Sequence, residues 1–336
     1  MPANRGNLRY EKSQNHSGVL FHDRAIPLLK EQNYYVKDYK LDGDAPKQFI
    51  KAYFYEQDST VKKASSSSWN SYIAKTAEKW YPHESVIEFM INRVGQVLGL
   101  HINEIKLVRA NNQIRFLSEY FLRKGEILVH GAEICGQHLG DMMMAEEIAN
   151  NRKTARELFT FEFIKDSIRT VFPGSFEQLL CDLVKMIGFD ALVGNNDRHF
   201  YNWGVIDTLK KTGQKPVFAP IYDSARALLW NYSDDNLVNL LDIHKKGHQK
   251  VVHYIENASP RISIEGNTKA NHFELIDFIK RYNTEYQQII NQLAGRENEQ
   301  RVLATLKDEF YPFFTQERRE LMTIILQARF EKIRSI

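Results

Sequence analysis

Short apolar segments separated by polar turns run through the first third of the chain. Residues 33–40 and 48–55 are rich in aromatic and β-branched residues, and the turn signal at residues 41–44 predicts that they form a β-hairpin. The Asn-Asn pair at residues 111–112 predicts a second turn between strands. The further strand-like segments are residues 104–110, 113–120 and 126–131.

One amphipathic helix interrupts this strand-rich part. Apolar residues recur at spacings of three and four over residues 83–100, and Gly99 predicts the end of the helix. The preceding residues 56–80 are polar and include four consecutive serines at 65–68, so we predict a flexible surface loop. The alternative interpretation of the serines is a loop that binds phosphate or that the protein itself phosphorylates.

Helical periodicity dominates from about residue 140 onward. Residues 176–193 predict a helix with a buried apolar face and with Ser175 as its N-cap, and two short strands follow at 203–206 and 217–221. The other predicted helices are residues 141–151, 152–170, 272–293, 299–314 and 316–333. We therefore predict an α+β fold of two lobes, a strand-rich lobe at residues 1–121 and a helical lobe at residues 122–336.

The composition is that of an ordinary soluble globular protein, with 43% hydrophobic and 26% charged residues. A net charge of +3 argues against a dedicated nucleic-acid binder, whose basic excess is normally larger and clustered. Cys135 and Cys181 are far apart and lack zinc-ligand spacing. We expect a cytoplasmic protein, since the N-terminus lacks a signal-peptide pattern and no apolar run approaches the roughly 20 residues of a membrane span.

Candidate chemistry is concentrated in residues 195–203 and in the acid that follows the apolar run 217–222. Asp197 precedes Asn202 by five positions, the D-x-x-x-x-N spacing of a kinase catalytic loop, and Asp223 is the second acid. Phosphoryl transfer needs one carboxylate that accepts the proton of the acceptor hydroxyl, and an amide and a carboxylate that hold Mg²⁺ on ATP. The motif alone is weak, because Asn and Asp also cap turns. Its agreement with the preceding helix, the following strand and the two-lobe layout predicts a protein-kinase-like fold with ATP between the lobes.

Residues 188–204, followed by Pro-Ile-Tyr-Asp at 220–223, resemble the catalytic segment of HipA-like kinases, and in particular of their compact CtkA-type members. The resemblance implies an ATP- and Mg²⁺-dependent serine/threonine protein kinase. Some members are toxins of bacterial toxin–antitoxin modules and some act on host cells. An antitoxin or other regulatory partner, and secretion as an effector, are therefore further expectations, whereas direct nucleic-acid binding is not expected.

The resemblance also implies roles for the residues of the catalytic segment. Asp197 would be the catalytic base, and Asn202 and Asp223 would bind Mg²⁺. His199 would hold the catalytic loop in place.

In the N-terminal lobe, the resemblance implies a lysine–glutamate pair that grips the α- and β-phosphates. We assign this pair to Lys51 and Glu88, with Lys37 as the competing lysine. The hinge that contacts adenine would lie at residues 118–121 and would include Glu119 and Phe121.

Two features leave alternatives open. No glycine-rich phosphate loop precedes the first hairpin, where Ser17-Gly18 is the only hint, so this loop is either degenerate or replaced by residues 65–68. Phosphoinositide kinases share an Asp-Arg-His-x-x-Asn loop, but residues 224–230 contain one arginine and are mostly apolar instead of basic. The other alternative is a nucleotide-binding pseudokinase that acts by contact. We also predict autophosphorylation, either at residues 65–68 or in the loop after Asp223.

Overall fold

An antiparallel sheet of five strands organises the N-terminal part of the protein, with the strand order β2-β3-β4-β7-β6. The computed structural model describes residues 6–38, 47–55, 61–208 and 213–336. The strands are β1 Asn15–His16, β2 Tyr34–Lys37, β3 Lys47–Ala52, β4 Asn70–Thr76, β5 Trp80–Tyr81, β6 Ile105–Ala110, β7 Gln113–Glu119, β8 Glu126–His130, β9 Gly204–Thr208 and β10 Val217–Phe218. The antiparallel pairing of β2 with β3 confirms the first predicted hairpin, whose turn at residues 41–44 lies outside the described residues.

The two faces of this sheet have different partners, because neighbouring side chains on a strand point to opposite faces. One face forms a small core with the N-terminal segment. The members of this core are Leu8, Leu29, Tyr34, Ile50, Ala52, Tyr72, Ala74, Val108, Ala110 and Leu117. The other face carries Lys75, opposite Lys47 in the register of β3 and β4, and it packs against the helix that follows β5.

Strand β4 corrects the predicted surface loop at residues 56–80. Residues 70–76 pair with both β3 and β7, although residues 56–60 lie outside the described part of the chain. The alternation of buried Tyr72, Ala74 and Thr76 with less buried neighbours is a strand pattern. It was missed because the adjoining serines dominate the composition of this stretch.

The helical part surrounds one long buried helix, α6, which packs against α5, α9, α10 and α12. The helices are α1 His83–Val97, α2 Gly131–Leu139, α3 Met142–Asn150, α4 Arg152–Leu158, α5 Phe161–Val171, α6 Phe176–Val193, α7 Asp234–Lys245, α8 Lys250–Glu256, α9 His272–Tyr282, α10 Thr284–Leu293, α11 Arg296–Thr305 and α12 Gln316–Ser335. The predicted strand-rich first part and helical remainder are therefore confirmed, whereas the exact division at residue 121 stays a prediction.

Most helix boundaries agree with the sequence pattern, and four do not. The predicted helix 272–293 is split at Asn283, which caps α10. Helix α2 begins before the predicted helical start at residue 140. The predicted helix 152–170 is split at Phe159-Thr160, where Thr160 caps α5. The predicted helix 299–314 continues beyond α11 only as a π-helical turn, Leu306–Phe310, and a 3-10 turn.

Ser175 occupies the N-cap position of α6, as predicted, but its side chain does not make the capping hydrogen bond. Helix α6 is instead held mainly by burial, since most of its side chains lie in the core. None of the helices in the described residues is long and apolar enough to cross a membrane.

Candidate active site

The end of helix α6 positions the loop at residues 195–203. Gly194 ends the helix in the left-handed conformation, with φ of 76°, which glycine adopts without the strain that a side chain would cause. The buried Asn195 then donates from Nδ2 to Asp190 Oδ1 at 2.9 Å, and its Oδ1 accepts from the Asp197 N–H at 3.2 Å. The backbone of Asp197 is thereby fixed to the last turn of α6.

Arg198 is a buried anchor for which the sequence had suggested no role. Its Nε and Nη2 donate to the two carboxylate oxygens of Asp190, each at 2.9 Å. Its remaining donors reach Ser224 Oγ at 2.8 Å, the Asn202 carbonyl at 3.0 Å and the Tyr222 carbonyl. One guanidinium therefore joins helix α6, the candidate catalytic loop and the segment that carries Asp223. A buried aspartate on an otherwise apolar helix face was the available sequence signal.

The Asp197 carboxylate is held by two arginines from distant segments. Its Oδ2 lies 2.9 Å from Arg226 Nη1, and its Oδ1 accepts from Arg261 Nη2 at 2.7 Å. Its backbone carbonyl accepts from Asn202 Nδ2 at 3.1 Å, so the two residues of the D-x-x-x-x-N motif are in contact. Neither arginine was assigned a role from the sequence.

Lys75 joins the sheet, helix α1 and the second acid of the site. Its Nζ lies 2.9 Å from Glu88 Oε1 and 3.0 Å from Asp223 Oδ1. Burial by itself would lower the pKa of Lys75, but the two carboxylates outweigh it and raise the pKa. Burial would raise the pKa of Asp223, and Lys75 reverses this and holds it at about 2. In Glu88 burial prevails, and the pKa is raised to about 6.

The predicted pairing of Lys51 with Glu88 is wrong. Lys51 Nζ donates to the Ser67 carbonyl instead. The strand register explains the difference, because Lys51 pairs with Ser71 at the end of the sheet that leads to the serine stretch. Lys75 lies four residues further along β4, at the end that faces Glu88. The competing Lys37 is on the edge strand β2, one strand further from Lys75 than Lys51 is. Burial lowers the pKa of Lys51, and the charge of Lys37 lowers it further.

Asp223 has a left-handed backbone, with φ of 55°. This conformation costs a non-glycine residue roughly 1–3 kcal/mol unless its surroundings impose it. Here the bonds of Arg198 to the Tyr222 carbonyl and to Ser224 Oγ hold the residues on either side. In this conformation the Asp223 carboxylate contacts Lys75 through Oδ1.

His199 lies close enough to both acids of the site for their charges to act on it. Burial lowers its pKa, and the charges of Asp197 and Asp223 oppose this only in part. Burial therefore favours the neutral form of the ring. Its Nδ1 accepts from the Tyr201 N–H at 3.3 Å, which places the proton of the neutral ring on Nε2. The predicted role of His199 in holding the loop remains a prediction.

The predicted hinge residues lie where the sheet ends. Glu119 is the last residue of β7, and its N–H donates to the Glu104 carbonyl at 2.8 Å. The centre of the Phe121 ring lies 5.8 Å from the centre of the Tyr222 ring, next to the segment that carries Asp223. Contact of Glu119 and Phe121 with adenine stays a prediction.

The residues assigned to Mg²⁺ have suitable ligand atoms. Asn202 donates through Nδ2, which leaves Oδ1 as its ligand atom, and Asp223 retains Oδ2 when Oδ1 accepts from Lys75. Among the described residues, no group of three or more His, Cys, Asp or Glu side chains could hold a metal ion. Nucleotide-bound Mg²⁺ typically takes only one or two protein ligands besides phosphate oxygens and water, so the donor set fits this ion.

A lysine of the sheet pairs with a glutamate of a helix, and the site also contains an Asp–Asn loop and a second acid. This arrangement is typical of kinase-like folds. The chain belongs to the HipA-like C-terminal domain family, whose family model matches residues 40–300.

A solved structure shows the same fold. The crystal structure of the Helicobacter pylori proinflammatory kinase CtkA matches with a TM-score of 0.69 at 15% identity, over 92% of this chain and 98% of that one. HipA in the Shewanella oneidensis MR-1 toxin–antitoxin complex with HipB and operator DNA matches with a TM-score of 0.48 at 15% identity, over 90% of this chain and 68% of that one. No curated protein sequence matches this chain. The predicted family resemblance and the predicted fold class are confirmed.

Proposed function

We propose that the protein is an ATP- and Mg²⁺-dependent kinase that transfers the γ-phosphoryl group to serine or threonine hydroxyls of a protein. The observation that carries this proposal is the contact of Lys75 with both Glu88 and Asp223, beside the loop that joins Asp197 to Asn202. These are the group types that phosphoryl transfer requires, and Arg198 joins the loop to the segment that carries Asp223.

Each residue has a distinct role in the proposed reaction. Lys75, oriented by Glu88, would bind the ATP phosphates. Asp197 would orient the acceptor hydroxyl and accept its proton while the hydroxyl oxygen bonds to the γ-phosphorus and ADP leaves. Asn202 and Asp223 would hold Mg²⁺, which when bound supplies charge neutralisation for the transferring group.

Residues 224–230 favour a protein substrate over a phosphoinositide. In phosphoinositide kinases this segment would be expected to offer basic side chains to the headgroup. Here Ala227, Leu228 and Leu229 are buried in the core, and Arg226 is paired with Asp197. The segment therefore serves packing and the candidate base.

We predict that Asp197→Asn abolishes nearly all phosphoryl transfer, a loss of roughly 10²–10⁴-fold for a general base, and leaves ATP binding largely intact. The measurement is the intact mass of the protein, and of added protein substrates, after incubation with ATP and Mg²⁺. Undiminished transfer by Asp197→Asn would refute the assignment of the base. Tight ATP binding by the wild type without transfer to any substrate would favour the pseudokinase alternative.

The expected antitoxin or regulatory partner, autophosphorylation and the cytoplasmic or secreted location stay predictions. Mapping of phosphorylated residues in the same mass experiment tests autophosphorylation at residues 65–68 and in the loop after Asp223.

A further inference from the structure

Two arginines occupy the carboxylate of the candidate catalytic base. Arg226 follows Asp223 by three residues, and Arg261 comes from the segment after helix α8. They contact different oxygens of Asp197, at 2.9 Å for Arg226 and 2.7 Å for Arg261. The loop is already anchored by the buried pair of Arg198 with Asp190, so these two arginines are not needed to hold it in place.

Positive charge exceeds negative charge around this carboxylate. Arg152 is also near, since burial and the charge of Arg261 lower its pKa while the charge of Asp197 raises it. Arg156 donates to the carbonyls of Pro260, Thr268 and Ala270, which fixes the segment that carries Arg261. The arginines therefore present more positive charge than the single carboxylate of Asp197 neutralises.

Arg226 is accessible, the Arg261 side chain is 19% exposed, and each contacts Asp197 through one of its N–H groups. The side chain of Arg226 is 36% exposed, and its guanidinium carbon lies 5.5 Å from the centre of the Trp230 ring, which supports it beside the base. The Nε of Arg261 is buried and has no hydrogen-bond partner in the described part of the chain. Each guanidinium has five N–H donors, so both can bind a second anion while the Asp197 contact is kept or exchanged.

We propose that Arg226 and Arg261 form an anion clamp that selects an acidic side chain of the protein substrate, close to the serine or threonine that accepts the phosphoryl group. This inference rests on the proposed function, because it takes Asp197 as the group that meets the acceptor hydroxyl. An incoming carboxylate takes over donors that now contact Asp197. One oxygen of Asp197 is thereby released to accept the hydroxyl proton. Binding of an acidic substrate residue to the clamp therefore also frees the candidate base for proton transfer.

A peptide library with one fixed serine or threonine tests the clamp. Each flanking position carries aspartate or glutamate in one set and the isosteric asparagine or glutamine in the other. Wild type should prefer an acidic residue at one or two positions by about tenfold or more in kcat/KM, the range of a charge-assisted hydrogen bond. The preference should lie mainly in the KM for peptide, with the KM for ATP unchanged.

Charge reversal supplies the decisive comparison. Arg226→Glu should lose the acidic preference and favour lysine or arginine at the same position, and Arg261→Gln should reduce the ratio of acidic to neutral kcat/KM toward one. Arg281→Ala is the matched control, because in the described part of the chain Arg281 pairs only with Asp277 on helix α9 and is itself 74% exposed. Its ratio should equal that of wild type. Thermal melting of each variant shows whether it is folded.

The possible outcomes distinguish a failure of the clamp from a failure of the proposed kinase function. Phosphorylation by wild type without acidic preference overturns the clamp and leaves the kinase function standing, and this arm needs no variant. An acidic preference that persists unchanged in folded Arg226→Glu and Arg261→Gln also overturns it. Absence of transfer by wild type to any peptide or protein refutes the proposed function and the clamp with it. A stronger preference for phosphoserine than for aspartate supports the clamp and identifies phosphate as its natural anion.

Discussion

Lys75 shows how much of the site depends on one side chain. Its ammonium lies between two carboxylates, Glu88 on helix α1 and Asp223 in the helical part. Without this cation, two partly buried negative charges would face each other in a medium that screens them poorly. The contact accordingly raises the pKa of Lys75 and lowers the pKa of Asp223 to about 2. A phosphate group that enters here would meet a cation already oriented toward it.

We expect Lys75→Met to reduce phosphoryl transfer by roughly 10²-fold or more, since the electrostatic stabilisation of the phosphates is lost. Lys51→Met is the matched control, a lysine on the neighbouring strand that contacts only the Ser67 carbonyl in the described residues. It should retain most of the activity. Initial rates and ATP affinity of both variants decide between the two lysines. The reverse order of effects would restore the assignment made from the sequence.

At the scale of elements, helix α6 and the loop that follows it act as one unit. The Asp190–Arg198 pair is almost fully buried, with side chains 4% and 3% exposed, and both carboxylate oxygens accept hydrogen bonds. Such a pair adds little net stability compared with an apolar replacement of both partners, but loss of one partner leaves a buried charge without compensation. The pair therefore fixes the loop geometry more than it stabilises the fold.

We predict that Asp190→Ala lowers the free energy of unfolding by about 3–5 kcal/mol. Asp166→Ala is the control, because Asp166 and its partner Arg169 are both more than half exposed and such a pair contributes about 0–1 kcal/mol. Urea unfolding followed by circular dichroism measures both. Equal effects of the two substitutions would show that other groups compensate the buried charge of Arg198 when the Asp190 carboxylate is absent.

At the scale of the whole molecule, an N-terminal segment connects the sheet to the C-terminal helices. Ser17 bonds to His83 at the start of α1 and, through its carbonyl, to the N–H of Asp234 at 2.9 Å. Asp234 in turn accepts from Arg318 of helix α12 at 2.9 Å. The Ser17-Gly18 pair, the only sequence hint of a phosphate loop, therefore contacts α1 and α7. A phosphate-binding role stays a prediction both for Ser17-Gly18 and for residues 65–68.

We predict that Gly18→Ala loosens this connection and destabilises the protein by roughly 1–3 kcal/mol, the usual cost of overpacking. An added Cβ would lie 1.9 Å from Asp234 Oδ2, and the backbone φ of 129° is itself unfavourable for alanine. Gly174→Ala is the control, since nothing lies within 4 Å of its Cβ position. A thermal melt of each variant gives the comparison. A melting temperature for Gly18→Ala equal to that of Gly174→Ala would show that the Asp234 side chain can move aside without cost.

The sequence by itself determined what depends on local pattern. The 3.6-residue period predicted helices α1 and α6, and two runs of strand-forming residues around a turn signal predicted the first hairpin. The spacing of Asp197 and Asn202 placed both residues in one loop, and the structure adds the hydrogen bond that joins them. Glu88 was assigned through the resemblance to HipA-like kinases, by its position in the helix that the period predicted.

Only the tertiary structure decided which distant residues meet. Lys75 and Asp223 are 148 positions apart, and Arg261 and Asp197 are 64 apart. The choice of Lys75 over Lys51 depends on the strand register, which the sequence specifies only through the packing of both sheet faces. The arginines around Asp197 have no local signature, because an arginine that pairs with a distant carboxylate has the same sequence context as a solvated one.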